Sequence, residues 1–300
     1  MTVTLRTLTF LFALTLIGRA QTPAPPAAIV PTDGSAQSAA ANKLGFQLAI
    51  HSYTFRKFTL DEAIQKTAAL GIKYMSISGH VSFDGKTQLN TADLTDDQIQ
   101  AIRQKAAAAG LTLVNIGVMA LPPDEAKSRK VFEVAKKLGV DVIVAEPAPE
   151  ALDTVEKLCK EYNIKVAIHD HPFPNHYWNP DVVLAAIKGR TPLMGACADT
   201  GHWVRSGLDP VECLRKLAGH VIALHFKDLN EKGNKGAHDV PWGTGISNVE
   251  GQLTELKRQG FHGAICFEYE YNWDNSSPEI AESIKFFNAA CLKLATPGAP

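Results

Sequence analysis

The feature of this sequence that most constrains its fold is a strand–helix unit that recurs along nearly the whole chain. Short apolar runs predict strands, and segments with helical periodicity follow them. The eight predicted strands are Phe46–Ser52, Tyr74–Ser78, Leu111–Val118, Val142–Glu146, Lys165–His169, Met194–Asp199, Val221–His225 and Gly263–Glu268.

Helical segments and glycines separate these strands. Apolar residues share one face of Thr59–Leu70. Further helices are predicted over Asp97–Ala109, Asp124–Leu138, Pro149–Tyr162, Pro210–Ala218, Val249–Gln259 and Pro278–Leu294. Glycines that suit left-handed C-caps follow several helices: Gly71, Gly110, Gly139, Gly219 and Gly260.

Eight such units predict one α/β domain, a (β/α)8 TIM barrel over residues 43–295. The alternative is an open doubly wound sheet. It is disfavoured because no glycine-rich phosphate turn follows the first strand.

The N-terminal residues predict export. Arg6 precedes the apolar run Leu8–Ile17, and Gly18-Arg19-Ala20 then places small residues where a signal peptidase prefers them. We expect a signal peptide over residues 1–20, cleaved after Ala20, and a periplasmic or secreted protein without a membrane span once mature. Residues 21–42 are rich in Ala, Pro, Ser and Thr and predict a disordered linker.

Charge and cysteine content exclude some classes of function. The net charge is −1 and no long basic run is present, so no nucleic-acid partner is expected. The five cysteines lack the spacing of a disulfide scaffold or a zinc ribbon. The sequence gives no indication of the oligomeric state.

Acids and histidines lie at the ends of several predicted strands. Because the carboxyl ends of parallel strands meet at one mouth of a barrel, these side chains are expected to converge. Carboxylates and imidazoles suit a divalent cation, with Mn²⁺ expected first and Mg²⁺, Co²⁺ or Zn²⁺ also compatible. The strand-end residues are Glu146, His169, His171, Asp199, His225 and Glu268.

Alternation along strands extends this set. His225 and Lys227 are expected on one side and Asp228 on the other, and Glu268 and Glu270 are expected to share a side. The same alternation favours His169 and His171, not Asp170, as the inward groups of the fifth strand.

Several motifs resemble those of the xylose isomerase-like barrels, also called sugar phosphate isomerases/epimerases. The resemblance extends from about Gly45 to Leu294. The matching motifs are His51-Ser52-Tyr53-Thr54-Phe55-Arg56, the Asp199/His202 pair, His225-Phe226-Lys227-Asp228, Pro241-Trp242-Gly243-Thr244-Gly245 and Phe267-Glu268-Tyr269-Glu270.

The resemblance implies a metal site of two glutamates, an aspartate and a histidine. It places three of these ligands at Asp199, His225 and Glu268. The first glutamate is replaced, because the fifth strand ends in His169-Asp170-His171. Either His169 takes its place, or Glu146 reaches across from the fourth strand, or both bind.

We therefore expect a metal-dependent sugar isomerase or epimerase that removes an α-proton and passes through a metal-stabilised enediolate. Export indicates a non-phosphorylated sugar or keto-sugar as substrate. Glu268, Glu146 and His171 are the expected catalytic residues. The expected substrate contacts are His51, Arg56, His202, Trp203, Lys227 and Glu270.

Three alternatives remain open at this point. A 3-keto-glycoside lyase or hydratase could use the same metal site. A metal-dependent endonuclease for abasic sites shares the barrel, although the neutral charge counts against it. A non-catalytic carbohydrate-binding barrel would account for the replaced glutamate.

Overall fold

The computed structural model describes residues 38–296, and its centre is a closed parallel barrel. The barrel strands follow one another in the order β1-β10-β9-β8-β7-β6-β5-β2. They are β1 (Phe46–His51), β2 (Tyr74–Ser78), β5 (Thr112–Leu121), β6 (Val142–Pro147), β7 (Lys165–His169), β8 (Met194–Asp199), β9 (Val221–Phe226) and β10 (Gly263–Phe267). The predicted TIM barrel is thus confirmed.

Helices connect the strands and surround the barrel. They are α1 (Ala39–Leu44), α2 (Leu60–Ala69), α3 (Asp96–Ala108), α4 (Glu125–Leu138), α5 (Leu152–Tyr162), α6 (Pro180–Ile187), α7 (Thr200–Arg205), α8 (Pro210–Lys216), α9 (Val249–Arg258) and α10 (Ser277–Ala295). Capping follows the sequence: Thr59 and Glu62 form a capping box at the start of α2, and Gly139 ends α4 with φ of 79°.

The barrel is closed by the pairing of its first and last strands. β1 pairs with β10 from Phe46↔Gly263 to Ile50↔Phe267, and with β2 on its other edge. Residues more than two hundred positions apart therefore lie side by side. No edge of the barrel sheet is left unpaired.

The core has two layers. Large aliphatic and aromatic side chains fill the space between the strands and the outer helices. Small side chains fill the barrel itself, because alternate strand residues point inward. These inner residues include Ala49, Ala167, Cys197, Ala223 and Cys266.

Five helices and strands were not predicted from the sequence. Helices α1, α6 and α7 are short, and β3 (His80–Val81) pairs with β4 (Leu89–Asn90) in a separate two-stranded sheet. Helices of six to eight residues carry little periodicity. The cap Asn179 with Pro180 at the first turn is the one local signal for α6.

The predicted signal peptide, and the predicted linker up to residue 37, lie outside the described residues. The last residues assigned to that linker already form part of α1, which Ser38 caps. Among residues 38–296, no helix has the length and apolar character needed to cross a bilayer.

Candidate active site

The carboxyl ends of four consecutive barrel strands, β7 to β10, bring acids and imidazoles into one cluster. One ligand atom from each of His169, Asp199, His202 and Glu268 lies within 4.8 Å of the others, and all four side chains are buried. His225 joins them, since its Nδ1 lies 3.0 Å from Glu268 Oε2 and 3.2 Å from His169 Nε2. We call these five residues the central cluster.

A second group adjoins the central cluster at the mouth of the barrel. Glu146 Oε1 lies 3.7 Å from His169 Nδ1 and forms a short hydrogen bond with His171 Nδ1. Asn175 Nδ2 donates to the other carboxylate oxygen at 3.3 Å. The side chains of Glu146 and His171 are 26% and 44% exposed, so this pair can meet a substrate from solvent.

His169 links the two groups through its two ring nitrogens. Nδ1 faces Glu146, and Nε2 lies 3.5 Å from Asp199 Oδ2. His169 and His171 therefore share a side, as the alternation predicts. Asp170 lies elsewhere, buried, where its Oδ1 accepts the backbone N–H of Asp199 at 2.8 Å.

Lys227 supplies the positive charge at the centre of the site. Its side chain is fully buried, and its ammonium donates to both Asp199 Oδ2 and Glu268 Oε2. Glu270 Oε2 lies 3.7 Å away. Burial lowers the pKa of Lys227, but the three carboxylates raise it further, so the net pKa lies well above the usual value.

The two buried carboxylates are held ionised by their neighbours. Burial raises the pKa of Asp199, yet His202 and Lys227 lower it more. Burial likewise raises the pKa of Glu268, and His225 and Lys227 bring it well below the usual range. Both side chains therefore offer anionic oxygens at neutral pH.

The imidazoles differ in charge. Burial lowers the pKa of His169, but the neighbouring carboxylates of Asp199 and Glu146 raise it to about 10. Burial lowers the pKa of His225 to about 4, and that of His202 well below its usual value. One imidazolium thus lies among neutral rings in the metal-free protein.

Burial also affects the pKa of Glu146, but its imidazole partners have the larger effect. Desolvation raises the pKa of this carboxyl, but hydrogen bonds from His169 and His171 lower it well below its usual range. Glu146 is therefore a carboxylate with an imidazole at hydrogen-bond distance. Such a pair can accept and return a proton.

His51 approaches the central cluster from β1. Its Nε2 lies 2.7 Å from the carbonyl oxygen of Gly117, and its Nδ1 lies 3.3 Å from Glu268 Oε1. Since a carbonyl oxygen only accepts, Nε2 carries a proton. Because β1 and β9 flank β10, His51 and His225 lie on either side of Glu268.

Two residues predicted to contact substrate lie in contrasting surroundings. Trp203 is 1% exposed and packs in the hydrophobic core, because its position on α7 faces inward; its ring face is not available at the mouth. Arg56 is exposed at the rim, with its guanidinium carbon 4.2 Å from the Trp273 ring centroid and 5.0 Å from that of Tyr53.

Sequence reasoning missed a set of buried polar residues that support the site. Asp228 accepts the backbone N–H groups of Gly243, Gly245 and Ser247, each at 2.9 Å, and so fixes the loop after β9. Arg205 joins His202 to Glu270 and Asp239. The three-residue spacing between His202 and Arg205 on α7 is the one sequence signal for this contact.

Comparison with known proteins places the chain among barrels of one family. The family model described as a xylose isomerase-like TIM barrel matches residues 64–290. An uncharacterized protein from Parabacteroides distasonis ATCC 8503 has a crystal structure with 36% sequence identity and a TM-score of 0.66, covering 82% of this chain and 99% of that one.

Two further proteins have names that refer to an activity. Inosose dehydratase of Clostridium tetani (strain Massachusetts / E88) is 33% identical over 144 residues, which is 43% of this chain. The match spans about half of that relative, 48% of its length. A D-tagatose 3-epimerase-like protein has 20% identity and a TM-score of 0.64, covering 82% of this chain and 99% of that one, which shows likeness of fold alone.

Proposed function

Because the chain belongs to the xylose isomerase-like TIM barrel family, we propose that it is a metal-dependent enzyme that removes the proton next to the carbonyl of a non-phosphorylated sugar or keto-sugar. The observation that carries the proposal is the placement of Glu146 and Glu268. Their strands, β6 and β10, are separated by three strands in either direction around the barrel, so the two carboxylates approach the mouth from opposite sides.

The central cluster fits a divalent cation. Imidazole nitrogens and carboxylate oxygens are the donors that Mn²⁺, Co²⁺ and Zn²⁺ accept. His169 Nδ1 and His225 Nε2 are buried without a hydrogen-bond partner, so both are free for a metal, His169 after it has lost a proton. Asp199, Glu268, His225 and His169, with Glu146 adjacent, would hold the ion. A bound divalent cation supplies charge that polarises a carbonyl and acidifies the neighbouring C–H bond.

The chain's own groups would move the proton. Glu146, ionised and paired with His171, is placed to accept the α-proton on one face of the substrate. Glu268 lies across the barrel, where His51, His225 and Lys227 fix its position. In epimerisation Glu146 would take the α-proton from one face and keep it, and Glu268, after taking up a proton from water, would deliver that proton to the other face.

A second outcome is elimination of a β-substituent after the same first step. It is supported by the partial likeness to inosose dehydratase. The Glu146–His171 pair combines a base for the α-proton with an imidazole that can protonate a departing oxygen. Under this alternative the enzyme is a lyase or hydratase acting on 3-keto-glycosides.

Incubation in D₂O with Mn²⁺ separates these outcomes. We expect deuterium at the α-carbon of 3-keto-glucosides or free ketoses, detected by NMR. An epimer or isomer as product supports the leading proposal, whereas release of the aglycone without epimer supports the lyase.

Glu146→Gln and Glu268→Gln are each expected to lower turnover by at least about 10²-fold, the range of a lost acid–base group. Glu150→Gln, at an exposed position near β6, is the matched control and should leave turnover unchanged. If Glu268→Gln retains full turnover, the proposed role of Glu268 fails. If the wild-type protein binds no metal and turns over none of these sugars, the chain is a non-catalytic carbohydrate-binding barrel.

We also propose that the protein works outside the cytoplasm, in the periplasm or as a secreted protein. The proposal is supported by the apolar segment that ends before Ala20. N-terminal sequencing of the protein from its native host should begin at Gln21. A mature chain that begins at Met1 would contradict export by cleavage.

A further inference from the structure

Arg205 is one of the few buried cations of the described chain, and acceptors fix it on several sides. Its Nε donates to the Ala237 carbonyl oxygen at 3.1 Å, Nη1 to Glu270 Oε2 at 2.6 Å and Nη2 to Asp239 Oδ2 at 3.3 Å. Asp239 Oδ2 also accepts the backbone N–H of Glu270 at 3.2 Å. Arg205 is 8% exposed, so the guanidinium has one defined orientation.

The second hydrogen of Arg205 Nη1 faces His202. The distance from Nη1 to His202 Nδ1 is 3.1 Å. A guanidinium has only donors and stays charged at any pH at which proteins fold. His202 Nδ1 must therefore accept this hydrogen bond.

Because Nδ1 of His202 accepts a hydrogen bond, the proton of this ring must be on its other nitrogen. A neutral imidazole carries one N–H, so a ring that accepts at Nδ1 holds its proton at Nε2. A doubly protonated ring would turn an N–H toward the guanidinium, which offers no lone pair. His202 Nε2 lies 3.5 Å from Asp199 Oδ2 and points into the central cluster.

We propose that Arg205 is a positioning residue that holds the proton of His202 on Nε2 and so keeps this ring out of the metal's ligand set. By distance alone His202 belongs with His169, Asp199 and Glu268 as a possible ligand. A metal ligand needs the nitrogen lone pair, whereas His202 presents an N–H. The ring is thus a hydrogen-bond donor in the site, and the inference rests on the proposed function only for the presence of a metal.

Arg205 thereby separates two kinds of imidazole within one cluster. His169 and His225 each have a buried nitrogen without a hydrogen-bond partner, but the Nδ1 of His202 is occupied by the guanidinium. Asp239 and Glu270 act through Arg205, because they set the orientation of its Nη1. Residues in the loops after β9 and β10 therefore help to determine which strand-end imidazoles can bind a metal.

Nitrogen NMR of the full chain labelled with ¹⁵N-histidine tests the inference directly. Long-range ¹H–¹⁵N spectra distinguish the Nε2–H from the Nδ1–H tautomer, and His202→Gln assigns the signal. We expect the Nε2–H pattern in the metal-free protein, and we expect that Nε2–H signal to persist after saturation with Zn²⁺. An Nδ1–H pattern, or loss of the Nε2 proton when Zn²⁺ binds, would overturn the proposal.

Arg205→Met removes the donor and should give His202 averaged signals from both tautomers. Arg190→Met is the matched control: Arg190 also bonds two carboxylates and a backbone carbonyl, from Asp153, Glu156 and Ala186, but it lies away from the site. It should leave the His202 signals unchanged. Unchanged His202 signals in Arg205→Met would contradict a positioning role.

The wild-type spectra decide the question even if Arg205→Met does not fold. The test also stays separate from the proposed function. If the wild type binds no Zn²⁺, the metal-dependent function fails, while the tautomer of His202 in the metal-free protein still supports or contradicts the role of Arg205.

Discussion

At the scale of single residues, Lys227 has the most unusual environment in the described chain. Its ammonium is fully buried and neutralises Asp199 and Glu268, the two carboxylates best placed to bind a metal. Under the proposed function, the pair of side chains that holds the lysine would also hold a divalent cation. Their relative contributions can be measured.

Lys227→Met should destabilise the metal-free protein by about 3–5 kcal/mol, because two buried carboxylates lose their counter-charge. Urea unfolding measures this change. The loss should be smaller in excess Mn²⁺, since a bound cation then supplies the missing charge.

Lys216→Met is the comparison for that experiment. Lys216 is 51% exposed and pairs with Asp181 at 2.7 Å, so its removal should cost less than about 1 kcal/mol. A Lys227→Met protein that is as stable as wild type would show that the buried charges are not organised as described.

His169 predicts a pH dependence of metal affinity. The neighbouring carboxylates of Asp199 and Glu146 raise its pKa to about 10, so the ring is protonated at neutral pH and must release a proton to bind a metal. Below pH 10, Mn²⁺ affinity should therefore increase about tenfold for each unit of rising pH. Calorimetry in buffers of different ionisation enthalpy counts the released proton.

His169→Gln should remove most of this slope. His220→Gln, which changes an exposed histidine, should retain it. Affinity in the wild type that does not vary between pH 7 and 9 would indicate that His169 is not a ligand.

At the residue scale, the sequence predicts the site residues at the strand ends. It does not predict the buried polar residues that hold those side chains in position. The positions of His169, Asp199 and Glu268 follow from where apolar runs stop. Arg205 and Asp239 meet only because α7 and the loop after β9 pack together, and no local pattern encodes that contact. Trp203 is 1% exposed, and its motif does not reveal which way α7 faces.

At the scale of elements, the contact between α7 and the end of β9 determines the position of Lys227 in the site. Gly201, on α7, lies against the side chain of Lys227: a Cβ at this glycine would lie 2.6 Å from Lys227 Cδ and 2.7 Å from Lys227 Cβ. Side-chain atoms do not approach so closely. The absence of a side chain at residue 201 therefore lets Lys227 reach its carboxylates.

Gly201→Ala should displace Lys227 and cost about 1–3 kcal/mol of stability, as overpacking does. It should also change Mn²⁺ affinity, because the charge between Asp199 and Glu268 moves. Thermal unfolding and metal titration measure the two effects.

Gly139→Ala is the matched substitution away from the site. Its φ of 79° makes alanine strained by about 1–2 kcal/mol, but no atom lies within 4 Å of the added methyl group. Stability should fall while metal affinity stays unchanged. Equal effects of the two substitutions on metal affinity would argue against a specific contact with Lys227.

The boundaries of helices were predicted well where the apolar repeat extends over several turns. Helices such as α4 and α10 have enough turns for an apolar face, and the strands are bounded by polar residues. The short helices α6 and α7 were missed because one or two turns carry no clear period. Both follow strands that bear site residues, so the missed elements lie at the mouth.

At the scale of the whole molecule, all five cysteines are free and buried. Burial raises the pKa of Cys159, Cys213, Cys266 and Cys291 to about 12, and that of Cys197 well above its usual value. Thiols that are neutral and inaccessible react slowly.

The native protein should therefore react negligibly with a disulfide reagent such as dithionitrobenzoate over minutes. In denaturant all five thiols should react. Rapid modification of the native protein would mean that the barrel opens far more readily than its packing indicates.

The pairing of β1 with β10 has a consequence for synthesis of the protein on the ribosome. The barrel cannot close until residues 263–267 have emerged, so the first strand waits for a partner made near the end of translation. Contacts this distant in sequence slow folding. Until then a nascent chain has unpaired strand edges and no complete site, and a chain interrupted before β10 would be a target for chaperones and proteases, not a weaker enzyme.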